Sequence, residues 1–233
     1  MKLVKPNFLP PLDEDFRPAV LANHAFRQDV EASGEAAPLV LALERGNGAV
    51  SRYETVVFPD HHPRAAENLT YAEWLVKFLL WQRGGWRVYV GGSNIIGEHI
   101  ANLYAPNGQR AFDCHFMGES VYQRTFTVTA CDMSEIPPEH ENEKSLGRHL
   151  DGCRIGFDLG ASDLKISAVM DGSLVFSDEI EWEPVKQTDP RYHYEAITSA
   201  LKIAASKMPR VDAIGGSSAG IYVNNRAMIA SLY

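Results

Sequence analysis

Arg154–Lys165 reads RIGFDLGASDLK, and the fold of the C-terminal third turns on it. An apolar run ends in Asp158, a turn of small residues follows, and Lys165 opens a second apolar run. Two strands joined by a tight turn are the expectation for this pattern. A turn of this composition suits a phosphate chain. Small residues leave backbone N–H groups within reach, and Gly160 and Ala161 leave room for close approach. Asp158, at the end of its strand, can hold Mg²⁺ directly or through water. Lys165 and the Ser162 hydroxyl can reach phosphate oxygens. The same spacing also suits a plain hairpin with Gly in its turn and Asp and Lys facing solvent, and the motif alone does not separate the two.

The flanking sequence extends the pattern. Cys153–Leu159 and Leu164–Met170 read as strands, Asp171-Gly172 as a hairpin turn, and Ser173–Trp182 as a third strand. Asp189 can cap a helix over about Arg191–Lys207, with Pro190 at its first position and Pro209 stopping it. Ile197, Ala200, Leu201, Ala204 and Met208 share one face of that helix. Val211–Ser217 reads as a fourth strand, and the apolar run Ala227–Tyr233 as a fifth.

With that order in place, IGFDLGASDLK resembles the first phosphate motif of the ROK family (repressors, open reading frames and sugar kinases), within the actin/hexokinase-like, or RNase H-like, ATPase superfamily. The hairpin, the helix and VDAIGGSSAGIYVNN follow the family's order. The resemblance covers about 154–233. It implies ATP and Mg as cofactors and phosphorylation of a sugar hydroxyl. Asp158, Gly160, Ala161, Ser162 and Lys165 would lie around the phosphates, with Asp158 meeting the nucleotide's Mg²⁺. Ser218, Gly220 and Asn224 would lie near the sugar, in a turn where Ala219 stands at the family's usual Pro. The family's base is an Asp following an Asn, and no Asn-Asp pair occurs in the sequence. The chain is therefore expected to carry only the first part of an ATPase lobe, as a piece of a longer protein or a degenerate relative of the family. A non-catalytic sugar- or nucleotide-binding regulator on the same scaffold is the alternative.

N-terminal to the lobe, an α/β module is expected. Residues 1–36 read as a proline-rich extended arm (Pro6, Pro10, Pro11, Pro18) and a short helix near Ala19–Glu31. Residues 37–131 form the module itself, of unassigned role. Pro38–Glu44 and Ala49–Phe58 read as a hairpin around Gly46-Asn47-Gly48. Tyr71–Arg83 reads as a helix with a Thr70/Glu73 capping box. Its aromatic stripe, Tyr71, Trp74, Phe78 and Trp81, is expected in the core. Trp86–Val90 reads as a strand, Asn94–Tyr104 as a helix, and Ala111–Met117 and Thr125–Ala130 as strands. Residues 132–152 read as a charged linker in which His140, His149, Glu139, Glu141 and Glu143 are solvated. Gly91–Gly97 departs from G-x-G-x-x-G spacing and reads as a tight strand-to-helix turn. His61-His62 reads as an exposed loop, Cys114 as core, and Tyr192, His193 and Tyr194 as packing on the hairpin or facing a cleft.

Composition limits the function classes. The 233 residues are 45% apolar and 22% charged, with a net charge of -8. Residues 1–150 carry 14 Lys and Arg against 19 Asp and Glu, and 151–233 carry 8 against 11. Neither part offers the basic stripe that nucleic acid requires, and no winged-helix pattern appears. No apolar run is long enough to span a membrane, and the N-terminus lacks a signal-peptide core. Three widely spaced cysteines, Cys114, Cys131 and Cys153, fit reduced thiols in a cytoplasmic protein. The expected partner is a small-molecule sugar, with a homo-oligomer left open.

Overall fold

In the computed structural model, which describes residues 1–141 and 149–230, the chain divides into two units, Met1–Asn142 and Glu143–Tyr233. Both are mixed α/β.

The first unit is built on β1 (Ala37–Glu44), whose residues 39–43 are all buried. Such a strand needs cover on both faces and a neighbour on each edge. β2 (Val50–Val57) and β3 (Arg87–Gly91) flank it antiparallel, and β4 (Thr127–Cys131) joins β3 in parallel, giving the order β2-β1-β3-β4. The β1–β2 turn places Asn47 at φ 60°, as the sequence predicts for a Gly-Asn-Gly turn. α3 (Asn94–Leu103) makes the β3–β4 crossover, its first turn capped by Ser93, whose Oγ accepts from the Ile96 N–H. α1 (Ala19–Ala32) starts where the proline arm ends.

Three expectations for this unit are corrected. α2 begins at Glu67, not at Tyr71, and Ala66 rather than Thr70 stands at its N-cap, so the capping box does not form. Asn68 explains the earlier start. It is 1% exposed and accepts from the Phe58 N–H while donating to the Phe58 carbonyl, which fastens the first turn of α2 (Glu67–Arg83) to the end of β2. The buried face of α2 is therefore Asn68, Tyr71, Ala72, Leu75, Val76, Leu79 and Leu80. Tyr71 alone of the aromatic stripe enters the core, stacked 4.4 Å from Phe26; Phe78 and Trp81 are exposed. Second, Ala111–Met117 is helical: α4 (Ala111–His115) runs into a π-helical turn, Phe116–Tyr122. Apolar alternation at 112, 114 and 116 imitates a strand. The buried positions Asp113, Cys114, Met117, Gly118 and Val121 follow helical spacing instead. Third, residues 133–141 are tied to the unit at Ile136, His140 and Glu141, although Glu139 and His140 are exposed as expected. Ile136 is buried, His140 exchanges backbone bonds with Val50, and Glu141 pairs with Arg45 and accepts from the Ser51 hydroxyl at 2.7 Å. Glu143 lies outside the described residues.

The second unit follows its sequence reading closely. β5 (Cys153–Leu159) and β6 (Asp163–Met170) form the hairpin of the opening motif. β7 (Ser173–Glu181) extends it, and β8 (Ala213–Ser218) pairs in parallel with β5, giving β7-β6-β5-β8. Asp171 and Gly172 take φ 47° and 81° in the β6–β7 turn. Asp189 caps α5 (Pro190–Ala205) by accepting from the Arg191 N–H. α5 covers one sheet face, where Ile155, Leu159, Leu164, Ile166 and Ala168 meet Ala200, Ala204 and Met208. The last apolar run is a strand over its described part, preceded by a short strand the sequence reading lacks. β10 (Arg226–Ile229) does not join the sheet but pairs with β9 (Ile221–Val223) in a separate hairpin. Asn224 and Asn225, at φ 53° and 61°, form its turn, a conformation that asparagine tolerates and most residues resist. Ser231–Tyr233 lie outside the described residues.

Candidate functional site

Strand alternation puts Asp158 on the sheet face that α5 does not cover. Its ladder partners are Lys165 on β6 and Ser217 on β8, and Ser217 Oγ donates to Asp158 Oδ1 at 2.5 Å. Gly156 and Gly215, paired across β5 and β8, leave this face low beside Asp158. A shallow groove runs over it, lined by Gly156, Asp158, Lys165, Ser167, Ser177 and Glu179.

The turn is held from its other side by Trp182, which is buried. The Trp182 indole N–H donates to the Gly160 carbonyl at 2.9 Å, and its backbone N–H donates to the Ser162 carbonyl at 3.1 Å. Gly160 closes the turn by donating to the Asp163 carbonyl at 2.8 Å. A Cβ at Gly160 would lie 2.8 Å from Asp163 Oδ1, so glycine is required for contact within the turn, beyond any ligand. Ala161 and Ser162 form the exposed tip.

Lys165 does not point freely into the groove. Its Nζ lies 2.6 Å from Asp163 Oδ1, and Ser162 Oγ lies 3.3 Å from the other Asp163 oxygen. This hydrogen bond is the main reason the Asp163 carboxyl sits below, and the Lys165 ammonium above, its ordinary value. Lys165 is half exposed, so the pair is screened and exchangeable.

A second concavity adjoins the tip, lined by Ala161, Ser162, Asp163, Glu179, Glu181, Trp182, Glu183, Lys186 and Tyr192. Its carboxylates disfavour a bare phosphate. Tyr192 and His193 pack on Trp182, at ring centroid distances of 6.5 and 5.9 Å. His193 Nε2 donates to the Pro184 carbonyl, and Tyr192 Oη accepts from the Glu183 N–H. Tyr194 is exposed.

The residues assigned to sugar lie apart from Asp158. Ser218 pairs with Leu159 and so occupies the opposite sheet face from Ser217. Gly220, at φ 142°, links β8 to the β9–β10 hairpin, and Asn224 sits at that hairpin's exposed tip. Sequence reasoning missed Asp163 and Ser217. Period-2 alternation could have found both: Asp163 shares a face with Lys165, and Ser217 falls opposite Asp158 once β5 and β8 pair in parallel.

The residues fit a nucleotide-borne Mg²⁺ better than a freestanding metal site. Among the described residues, no group of three or more His, Cys, Asp or Glu is arranged to hold a metal. Mg²⁺ carried by phosphates needs only one or two protein carboxylates, and Asp158 is half-buried and oriented by Ser217. All three cysteines are free thiols, and no described helix is long and apolar enough to cross a membrane. No family model matches the chain, and no curated protein matches it.

Proposed function

We propose that residues 153–230 are the phosphate-binding part of a ROK-like, ATP-dependent sugar kinase of the actin/hexokinase-like superfamily, acting in the cytoplasm. The observation that carries this reading is the opposition of Asp158 and Lys165 at the C-terminal end of β5, beside a parallel β8, on a sheet face left open by α5. Ligands of α/β sheets gather outside the carboxyl ends of parallel strands. ATP with Mg²⁺ would enter the groove over Gly156 and Ser167. Mg²⁺ would neutralise phosphate charge and draw electrons from the transferred group. Asp158 would hold the metal, kept in orientation by Ser217. Lys165 would exchange Asp163 for a phosphate oxygen, and Ser162 and the N–H groups of Ala161 and Ser162 would be the donors at the tip.

A second reading keeps the binding and drops the transfer: a sugar- or nucleotide-sensing protein. It requires only the contacts around Asp158 and Lys165, and no group that deprotonates a sugar hydroxyl. Calorimetry with Mg-ATP tests what the two readings share. Asp158→Ala and Lys165→Ala are each expected to weaken binding roughly tenfold or more, as loss of a charge-assisted contact does. Unchanged affinity in both variants overturns the assignment. Sugar-dependent release of ADP by the full-length protein that carries this part separates the kinase from the sensor.

A further inference from the structure

The aromatic residues that α2 turns away from its core form an exposed groove in the first unit. Ala19, Trp74, Lys77, Phe78, Trp81 and Gln82 line it. Phe78 is 59% exposed and Trp81 47%. Phe112 and Phe116 of the α4 segment prolong the surface, stacked with Trp81 at 6.4 and 5.3 Å. The groove has a fixed floor. Asp113, nearly fully buried, accepts from the Trp81 indole N–H at 2.9 Å and from Lys77 Nζ at 2.5 Å. Lys77 also lies 4.8 Å over the Trp81 ring. An apolar surface of several rings, held rigid from beneath and open above, has the character of a contact surface.

The same unit carries a matching projection. The arm is fastened at both ends. Met1–Lys5 line one pocket with Ala25, Phe26, Asp29, Arg64 and Glu67, with the terminal ammonium 3.4 Å from Glu67, and Pro18 leads into α1. Between these anchors the chain makes two successive turns, closed by Asp13 N–H to Pro10 O and Phe16 N–H to Asp13 O. On this loop Phe8 is 91% exposed and Leu12 100% exposed. Pro6, Pro10 and Pro11 stiffen it, which lowers the entropy cost of holding two apolar side chains outward.

We propose that the first unit self-associates through this pair of features: Phe8 and Leu12 of one copy insert into the Trp74–Phe78–Trp81 groove of a second copy, and reciprocally. Three observations favour a second copy as the occupant. Projection and groove occur in one chain, and both are exposed among the described residues. The acidic run Asp13-Glu14-Asp15 follows Leu12, and the charged side chain lining the groove is Lys77, 35% exposed although bonded to Asp113. The loop also returns to the chain at Pro18, next to Ala19 on the groove wall, so projection and groove are neighbours. A two-fold axis passing between neighbours closes both contacts at once and gives a dimer instead of a filament.

Sedimentation velocity on the whole chain from about 1 to 100 µM tests the association. Wild type is expected to dimerise across this range. Phe8→Ser/Leu12→Ser and, separately, Phe78→Ser are each expected to weaken dimerisation at least tenfold with unchanged circular dichroism. These positions are exposed, so folding is not at stake. A photo-cross-linking phenylalanine at position 8, in a mixture of isotope-labelled and unlabelled chains, is expected to give mixed cross-links to residues 74–82. A wild type that stays monomeric at 100 µM, a dimer indifferent to both variants, or cross-links confined to single chains or landing elsewhere overturns the proposal.

Discussion

Lys165 lies opposite Asp158 in the β5–β6 ladder, yet its ammonium is bonded to Asp163, 2.6 Å away on its own strand. The candidate phosphate-binding lysine therefore has a resident carboxylate partner. Asp163→Asn removes it. The Lys165 titration midpoint is expected to fall toward the ordinary lysine value, and affinity for a bare polyphosphate to rise. Side-chain NMR reads the first and calorimetry the second. The sign for Asp163 follows from its lowered carboxyl. The pair is intact above the ordinary carboxylate range and is lost as pH falls through the lowered value. A carboxyl titration of wild type that shows Asp163 at or above that range contradicts the geometry.

Trp182 fastens the turn by two hydrogen bonds, one from its ring and one from its backbone. Trp182→Phe keeps an aromatic ring and the backbone bond, and removes the donor to the Gly160 carbonyl together with part of the buried ring. About 1–3 kcal/mol of stability is expected to be lost for a carbonyl left without its partner. Urea unfolding measures it. If the turn serves phosphate, Mg-ATP affinity should fall in the same variant although Trp182 faces away from Asp158. Full stability in Trp182→Phe would mean that the indole bond is replaced by water.

The second unit was legible because its signals are local. Asp171-Gly172 and Asp189-Pro190 fix a hairpin and a helix start without help from distant residues. What the sequence reading missed depends on pairing. Ser217 and Ser218 are alike in sequence; only the parallel register of β5 and β8 brings Ser217 to Asp158 and sends Ser218 to the other face. Asp163 reads as a turn residue until Lys165 is seen to bond it. In the first unit, Asn68 counts as polar in any periodicity, yet it is buried and sets where α2 begins. Asp113 likewise breaks an apolar pattern, and its partners are 36 and 32 residues away. Distant polar partners of this kind leave no periodic trace.

Asn68→Ala tests the α2 fastening. Both Phe58 backbone groups would lose a buried partner, at about 1–3 kcal/mol each. Guanidinium unfolding monitored in the first unit is expected to show a loss at the upper end of ordinary point mutations. Asn68→Asp keeps the acceptor for the Phe58 N–H but sets a carboxylate against the Phe58 carbonyl. It is expected to be less stable at neutral than at acidic pH, where the protonated acid can donate. A pH-independent Asn68→Asp variant would place that side chain elsewhere.

His115, on the exposed side of α4, donates to Glu119 one turn later at 3.0 Å and to the Pro106 carbonyl at 3.2 Å. The Glu119 bond is the larger cause of a raised imidazole value. With the folded value raised, the pair stabilises fully below the ordinary histidine value of about 6.5 and is lost as pH rises through the folded one. Its contribution should be small because both side chains are exposed. The NMR midpoint of His115 is therefore the sensitive readout. Glu119→Gln is expected to lower it while leaving it above ordinary, since the Pro106 carbonyl still accepts.

Gly216 carries the last test. It lies on β8 next to Ser217, and a Cβ there would stand 2.2 Å from the Phe157 ring. The overlap falls on the far end of the Phe157 ring, which is partly buried and packed against the α5-covered core. Gly216→Ala must push either the ring or the strand, at about 1–3 kcal/mol for overpacking. If β8 moves, Ser217 leaves Asp158 and Mg-ATP affinity falls with stability. If the ring moves, only stability falls. Phe157→Leu should shrink the stability cost of Gly216→Ala, so the double-mutant cycle is expected to give a coupling of roughly 0.5–3 kcal/mol. Strict additivity would show that the two residues do not touch, and the pairing of β5 with β8 that brings Ser217 to Asp158 would fall with it.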